Sequence, residues 1–100
     1  MRYDKEVFFE RITPGTYDET TGDYGEDSVV SERRLASVYD TRQETMQIVY
    51  GGVKRGSLTV HLQNHYDAPF DRIRIGGTAY QVDYRRRLRV KEAYVVSEVS

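Results

Sequence analysis

The segment Pro69 to Tyr84 reads PFDRIRIGGTAYQVDY and has the pattern of a β-hairpin. Ile73 and Ile75 alternate with charged residues before the pair Gly76-Gly77, and the alternation resumes after it. Side chains of a β-strand point alternately to two faces, so this pattern predicts two strands that are each apolar on one side. The two glycines can adopt the positive φ angles of a tight primed turn, although a β-bulge would also use glycine. The segment therefore predicts two antiparallel strands joined by a short connection.

Other segments of the second half have the same two-residue period. The return strand of the hairpin is predicted to continue the apolar face with Tyr80, Val82 and Tyr84, and Ser57 to Tyr66 reads as a strand covered on one side. Leu88 to Val99 is predicted to be the last strand, and only Glu92 interrupts its apolar parity. The predicted core consists of Val60, Leu62, Ile73, Ile75, Tyr80, Val82, Val90 and Val96.

The first half predicts two further strands, Glu6 to Ile12 and Ser28 to Tyr39, followed by a short helix. Thr41 and Glu44 have the spacing of a capping box at a helix start, and Gly51 is suited to end the helix. Three apolar residues follow the i, i+3, i+4 spacing and are predicted to pack on the sheet: Met46, Val49 and Tyr50.

Length and composition predict one domain that spans residues 1–100. The fold class is mainly β, with about six antiparallel strands in a small barrel or a strongly curved sheet, and one short α-helix. The chain has no cysteine, so stability must come from packing or from partner subunits. No apolar run approaches the roughly 20 residues that span a bilayer, which predicts a protein made in the cytoplasm.

A stretch rich in turn formers separates the first two strands, from Thr13 to Asp27, and predicts a long loop or an open hairpin. Between Asp18 and Glu32 there are six carboxylates and no basic residue, so like charges are expected to keep the stretch extended and mobile in the free protein. A mobile surface loop and a functional loop both fit this pattern. As a functional loop, it would act through Tyr17, Asp18, Glu19, Asp23, Tyr24, Glu26 and Asp27.

Charge is distributed unevenly along the chain. Residues 1–53 carry six basic and eleven acidic residues, a net charge of −5, and residues 54–100 carry nine basic and five acidic residues, a net charge of +4. The basic half can be an ordinary solvated surface, a nucleic-acid contact or a surface that meets an acidic face of another copy. The arginines that would form such an interface are Arg72, Arg74, Arg85, Arg86 and Arg87. If Arg85 and Arg87 are exposed, reversing their charge to Glu should change stability by only about 0.5 kcal/mol.

No arrangement of residues that supports catalysis is visible in the sequence. There is no nucleophile elbow and no paired acid and base, so the sequence predicts that the chain is not an enzyme and uses no cofactor. His61 and His65 would lie roughly 13 Å apart on one strand, too far to bind the same metal ion, and no metal site is predicted.

Several sequence segments, taken in their order along the chain, resemble the small minor capsid proteins of tailed phages and prophages of Gram-positive bacteria. These proteins belong to a group that serves in head-tail joining or head closure. The resemblance is carried by MRYDKEVFFER at residues 1–11, YDETTGDY at 17–24, YGGVKRGSLTVHLQ at 50–63, PFDRIRIGGTAYQV at 69–82 and RRRLRVKEAYVVSEV at 85–99. It covers nearly the whole chain, and the family has no catalytic motif.

The resemblance implies a structural virion protein that forms a homo-oligomeric ring beneath the portal, as a connector or a stopper. Its partners would be the portal or adaptor and the tail proteins, with genomic DNA passing through without specific recognition and no membrane involved. Related head-closure proteins have small β-barrels with a long loop that reaches toward the central channel, and residues 13–27 are the candidate for that loop. Carboxylates that line a channel would repel DNA phosphates, whereas a loop that faces outward would contact the portal or the next tail protein. A small β-barrel that binds nucleic acid or another partner is the alternative function.

Overall fold

The computed structural model describes residues 2–15, 17–25 and 27–99. The strands and the helix of these residues are β1 Lys5–Thr13, β2 Tyr17–Asp18, β3 Asp23–Tyr24, β4 Ser28–Asp40, α1 Gln43–Tyr50, β5 Leu58–Leu62, β6 Arg72–Ile75, β7 Thr78–Arg87 and β8 Glu92–Glu98. Six of the described strands form a closed antiparallel barrel in the order β1-β4-β5-β8-β7-β6, and β2 pairs with β3. The chain is therefore mainly β with one described helix, as the sequence predicts, and the sheet closes into a barrel.

The hairpin β6–β7 has the predicted geometry. Ile75 pairs with Thr78, so the connection contains two residues only. Gly76 and Gly77 have φ angles of 57° and 83°, and both are positive as a type I′ turn requires. The glycine pair is thus a tight turn and not a bulge.

Inward-facing side chains from all six strands form the core of the barrel. Val7 and Phe9 of β1, Ala36 of β4 and Tyr94 of β8 are buried, and Tyr66 enters the core from the connection between β5 and β6. Seven of the eight residues predicted for the core lie in it or pack against it: Val60, Leu62, Ile73, Ile75, Tyr80, Val82 and Val96.

The predicted core is wrong at Val90, a residue that is 61% exposed. The last strand begins at Glu92, and the residues before it form the turn between β7 and β8. The backbone N–H of Leu88 donates to the carbonyl oxygen of Lys91 at 2.9 Å and closes this turn. An apolar residue at the tip of a turn has no sheet beneath it, so Val90 faces solvent.

A β-bulge at Asp83 changes which side chains of β7 face inward. Val82 pairs with Val96 and Tyr84 pairs with Val95, so Asp83 is the additional residue. Because side chains alternate along a strand, one additional residue reverses the parity of everything after it. Tyr84 is consequently 46% exposed and lies on the outer face, contrary to the predicted apolar face.

Helix α1 ends as predicted but begins differently. Gly51 has a φ angle of 71°, and its N–H donates to the carbonyl oxygen of Gln47 at 3.0 Å. The predicted capping box is wrong, since Arg42 occupies the N-cap position. The hydroxyl of Thr41 instead bonds the hydroxyls of Ser57 and Thr59, at 2.7 and 3.0 Å, and is buried with them.

The far parts of β1 and β4 leave the barrel together and form an arm, defined here as the described residues between 11 and 31 (11–15, 17–25 and 27–31). β1 pairs with β6 only as far as Glu10, and β4 pairs with β5 only from Ser37, so in the described residues the arm strands pair with each other. The longest dimension is 54 Å against 28 and 23 Å for the other two. The radius of gyration is 16.0 Å, whereas a compact chain of this length has about 13 Å. The arm makes the molecule elongated.

Candidate functional site

The acidic stretch of the sequence lies at the end of the arm. Tyr17 pairs with Tyr24 through the backbone, so the described part of the stretch is a short hairpin, one of the two predicted forms. At its base Asp71 Oδ2 accepts a hydrogen bond from the backbone N–H of Ile12 at 2.6 Å, which fastens the arm to the barrel. The predicted mobility of residues 13–27 stays a prediction.

The structure describes only some of the side chains that were predicted to act in a functional loop. Tyr17 is 52% exposed, Glu19 is exposed, and Asp27 Oδ1 accepts a hydrogen bond from the backbone N–H of Gly15 at 3.0 Å. The predictions for Glu26 and for the side chains of Asp18, Asp23 and Tyr24 lie outside the described residues. The arm therefore brings one exposed aromatic ring and one exposed carboxylate, at least, to a position beyond the barrel.

Two of the predicted interface arginines bind one buried carboxylate on the outer face of the barrel. Glu10 Oε1 lies 2.7 Å from Arg72 Nε and 3.1 Å from Arg74 Nε, and the Glu10 side chain is only 7% exposed. Burial opposes ionisation of Glu10, but the hydrogen bonds and positive charges of the two arginines outweigh it and hold the pKa of the carboxyl below its ordinary value. These ion pairs join β1 to β6, where the barrel closes.

Two others bind a second buried carboxylate, Glu92, at the start of β8. The Glu92 side chain is fully buried, and its Oε1 accepts a hydrogen bond from Arg85 Nε and lies 3.6 Å from Arg87 Nη2. The backbone N–H of Tyr66 donates to the other carboxylate oxygen at 2.8 Å. Burial opposes ionisation here too, but the hydrogen bonds from Arg85 and Tyr66 and the two guanidinium charges keep the pKa of Glu92 below its ordinary value.

Arg85 is held on several sides at once. Its Nη2 donates to the carbonyl oxygen of Tyr66 at 2.6 Å, and its guanidinium carbon lies 5.4 Å from the centre of the Tyr94 ring and 5.8 Å from that of Phe70. Arg87 Nη2 also lies 2.7 Å from Asp67 Oδ1. The bulge at Asp83 is the cause, because the reversed parity turns these two arginines toward Glu92.

The five arginines therefore do not share one surface. Arg85 and Arg86 are consecutive on β7 and point to opposite faces, and Arg72 and Arg74 belong to the separate Glu10 group. Arg85 and Arg87 are exposed, at 39% and 45% of their side chains, but both also contact a fully buried carboxylate. We therefore expect their charge reversal to cost more stability than a change at an ordinary exposed site. Whether these arginines contribute to an interface stays a prediction, but four of them already bind carboxylates within the chain.

Arg86 lines a groove of about 290 Å³ between α1 and the outer face of the barrel. Val95 and Thr59 form part of its floor, and both are buried. Tyr50 secures the helix beside it, because its hydroxyl donates to Asp83 Oδ2 at 2.5 Å. The lining includes Ile48, His61, Tyr84, Arg86, Leu88 and Val95.

A tyrosine and a histidine stack at one side of this groove. The Tyr39 hydroxyl lies 2.8 Å from His61 Nε2, and the two ring centres are 5.5 Å apart. Burial lowers the pKa of His61, and the positive charges of Lys91 and Arg42 lower it further. The guanidinium of Arg42 lies over the Tyr39 ring, 5.7 Å from its centre. The cations Arg42 and Lys91 thus lie near His61, and Arg86 is in the lining of the same groove.

Sequence reasoning did not find this groove. Its outer wall includes Ile48, an apolar helix residue outside the predicted stripe, and its opposite wall includes Tyr84, which faces outward only because of the bulge. The position of Ile48 was the one available signal, since an apolar residue away from the packed stripe of a helix suggests a second contact.

Each of the two histidines has a hydrogen-bond partner within the chain. His65 Nε2 lies 2.5 Å from the carbonyl oxygen of Leu88, and His61 bonds Tyr39. In the described ranges, no three His, Cys, Asp or Glu side chains come together in a way that could hold a metal ion. A search of the same residues for a helix of the length and apolarity that a membrane crossing requires finds none.

The two buried carboxylates predict how stability depends on pH. Glu10 and Glu92 have folded-state pKa values below the ordinary 4.5, so their contribution is complete above about pH 4.5 and is lost as the pH falls through the folded values. We expect the free energy of unfolding, measured by urea denaturation between about pH 6 and pH 3, to decrease on acidification. Glu92→Gln should reduce this slope, and the exposed Glu44→Gln should not. A slope that is unchanged in Glu92→Gln would contradict the assignment.

Comparison of the chain with protein-family models and with curated proteins finds no match.

Proposed function

We propose that this chain is a structural virion protein that joins a phage head to its tail, as a ring-forming head-closure or connector component. It would be made in the cytoplasm of the bacterial host and act at the head-tail interface, with the portal or adaptor and the tail proteins as partners. The proposal rests on two observations. Several sequence segments, in their order along the chain, resemble minor capsid proteins, and the structure has an acidic arm.

The arm supports a joining role because none of its described residues belongs to the core of the barrel. Its strands extend beyond the pairs that close the barrel, and its tip, defined here as residues 17–25 and 27, presents Tyr17 and Glu19 away from the core. Ordering such an extension costs conformational entropy that the barrel does not recover. An extension of this kind is suited to contact another component of an assembly, as the resemblance implies for residues 13–27.

Nucleic-acid binding, the alternative function, is less well supported by the contacts of the arginines. Phosphate binding requires cations that are free to exchange water and counterions for the backbone. Arg72, Arg74, Arg85 and Arg87 are paired with carboxylates in the chain, two of them with a fully buried one. DNA would have to displace these pairs or bind through the remaining basic residues.

Deletion of the gene in a host that carries the phage or prophage tests the proposal. After induction, we expect DNA-filled heads without tails beside free tails in electron micrographs, and restoration of tailed particles by the wild-type gene supplied in trans. The genes for portal and capsid should precede this gene and tail genes should follow it. Normally tailed, infectious particles from the deletion strain would refute the joining role.

A further inference from the structure

We infer that the acidic tip of the arm of one copy docks in the groove between α1 and the barrel of a second copy. This contact would be the interface between neighbouring subunits of the proposed ring. The ring itself rests on the proposed function. The partner is thus a second copy of this chain, bound through two different surfaces.

The chemistry of the groove matches the tip. The groove has an apolar and aromatic lining that includes Tyr84 and Val95, and Arg86 supplies a positive charge. Among the described lining residues there is no carboxylate. In the sequence, residues 17–27 include five carboxylates and no basic residue, and the described side chains there include the exposed Tyr17, Glu19 and Asp27. Opposite charges steer such surfaces together, and tyrosines are enriched at the centre of protein interfaces.

Exposed apolar side chains line the groove of a single copy and leave apolar surface that a partner could cover. Ile48 is 82% exposed and Tyr84 is 46% exposed, and both line the groove. Tyr17, on the tip, is 52% exposed. Contiguous exposed apolar surface next to charged residues is typical of contact sites.

The tip and the groove of one copy lie toward opposite ends of β4. The arm contains the start of β4, whereas β4 reaches the groove at Tyr39, near its end. Tyr39 is eight positions beyond Ser31, the last residue of the arm, which corresponds to about 26 Å of extended strand. A tip on one side and a groove on the other form a heterologous contact, and repetition of such a contact closes a ring when the rotation between copies allows it.

Photo-crosslinking of the full-length protein tests the contact directly. With a benzophenone amino acid in place of Tyr17, we expect crosslinked dimers and higher oligomers in which mass spectrometry maps the attachment to residues 45–48 or 84–88 of another copy. Crosslinks only to other surfaces, or none at millimolar protein concentration, would overturn the inference.

Sedimentation measurements with matched variants test its chemistry. Ile48→Asp should weaken self-association about tenfold or more, whereas Val53→Asp, a change at another highly exposed site outside the groove lining, should not. Arg86→Glu and Glu19→Arg should each weaken self-association, and the double variant should recover part of the loss. Equal behaviour of Ile48→Asp and Val53→Asp, or no recovery in the double variant, would refute the docking.

A DNA-binding measurement distinguishes a second copy of the chain from nucleic acid as the occupant of the groove. If Arg86→Glu abolishes binding of a random-sequence duplex while self-association is unchanged, the groove is a nucleic-acid site and the inference is wrong. All of these measurements use the isolated protein, so they are independent of the deletion test. Normal phage particles without the gene would refute the proposed function alone, and absent arm-to-groove crosslinks would refute this contact alone.

Discussion

Replacement of Arg85 by Glu is expected to lower the free energy of unfolding by about 3 to 5 kcal/mol, although sequence reasoning predicted a change of about 0.5 kcal/mol or less for charge reversal at Arg85 and Arg87 as exposed residues. The fully buried Glu92 would lose its closest cation and face a second negative charge. Removing one partner of a buried ion pair is costly because the other charge stays away from water without compensation. Arg87, at 3.6 Å, retains part of the compensation, and the 39% exposure of Arg85 admits some solvent. Urea denaturation followed by circular dichroism measures the change.

The neighbouring residue is the matched control for this experiment. Arg86→Glu makes the same charge change one position along β7, on the outer face, where exposed substitutions usually change stability by about 0.5 kcal/mol or less. The difference between the two variants therefore isolates the Glu92 contact from the effect of net charge. Equal stability of the two variants would show that the bulge does not direct Arg85 to Glu92.

Replacement of Phe9 by Ala is expected to cost about 3 to 5 kcal/mol, as truncation of a buried phenylalanine usually does. Phe9 is 1% exposed and stacks on Tyr66 with ring centres 4.0 Å apart. The rings of Phe70 and Tyr94 lie at steep angles to the Phe9 ring, with their centres 4.9 and 5.6 Å from its centre. Loss of this ring would leave a cavity bounded by three aromatic side chains, which cannot collapse without breaking their own contacts. A domain of this size has only about 5 to 15 kcal/mol of stability.

Phe8→Ala provides the comparison. Phe8 directly precedes Phe9 on β1 and lies on the other face of the strand, where it is only partly buried. We expect a clearly smaller loss of the free energy of unfolding, measured by the same urea titration. If the two truncations cost the same, the centre of the core lies elsewhere and the aromatic cluster around Phe9 is not its main support.

The elements that depend on local pattern were predictable. Alternation identified the inward faces of β5 and β6, and the φ angles of Gly76 and Gly77 match the turn expected for a glycine pair. Strand periodicity and turn chemistry act over a few residues, so the sequence displays them directly. Closure of the sheet into a barrel was one of two predicted alternatives.

The features that were missed depend on contacts between distant residues. The bulge at Asp83 left no sign in the alternation, yet it decides that Tyr84 faces outward and Arg85 inward. Thr41 was expected to cap α1 because of its spacing from Glu44, but a buried bond to Ser57 competes successfully for its hydroxyl. Glu92 was visible as a break in an apolar strand, and an inward carboxylate always requires a cation or donors. That requirement could have identified Arg85 as a partner and not as a free surface charge.

The pairing of β1 with β6 has a consequence for how the chain reaches its fold. Glu10 and Arg72 are 62 positions apart in sequence, and their ion pair lies where the barrel closes. During synthesis, β1 can form its hairpin with β4 early, while its second partner strand emerges only much later. Structures dominated by such distant contacts fold slowly, because the entropy of loop closure is lost before the contacts form. We therefore expect barrel closure to be a late and rate-limiting event, with the apolar face of β1 uncovered until β6 arrives.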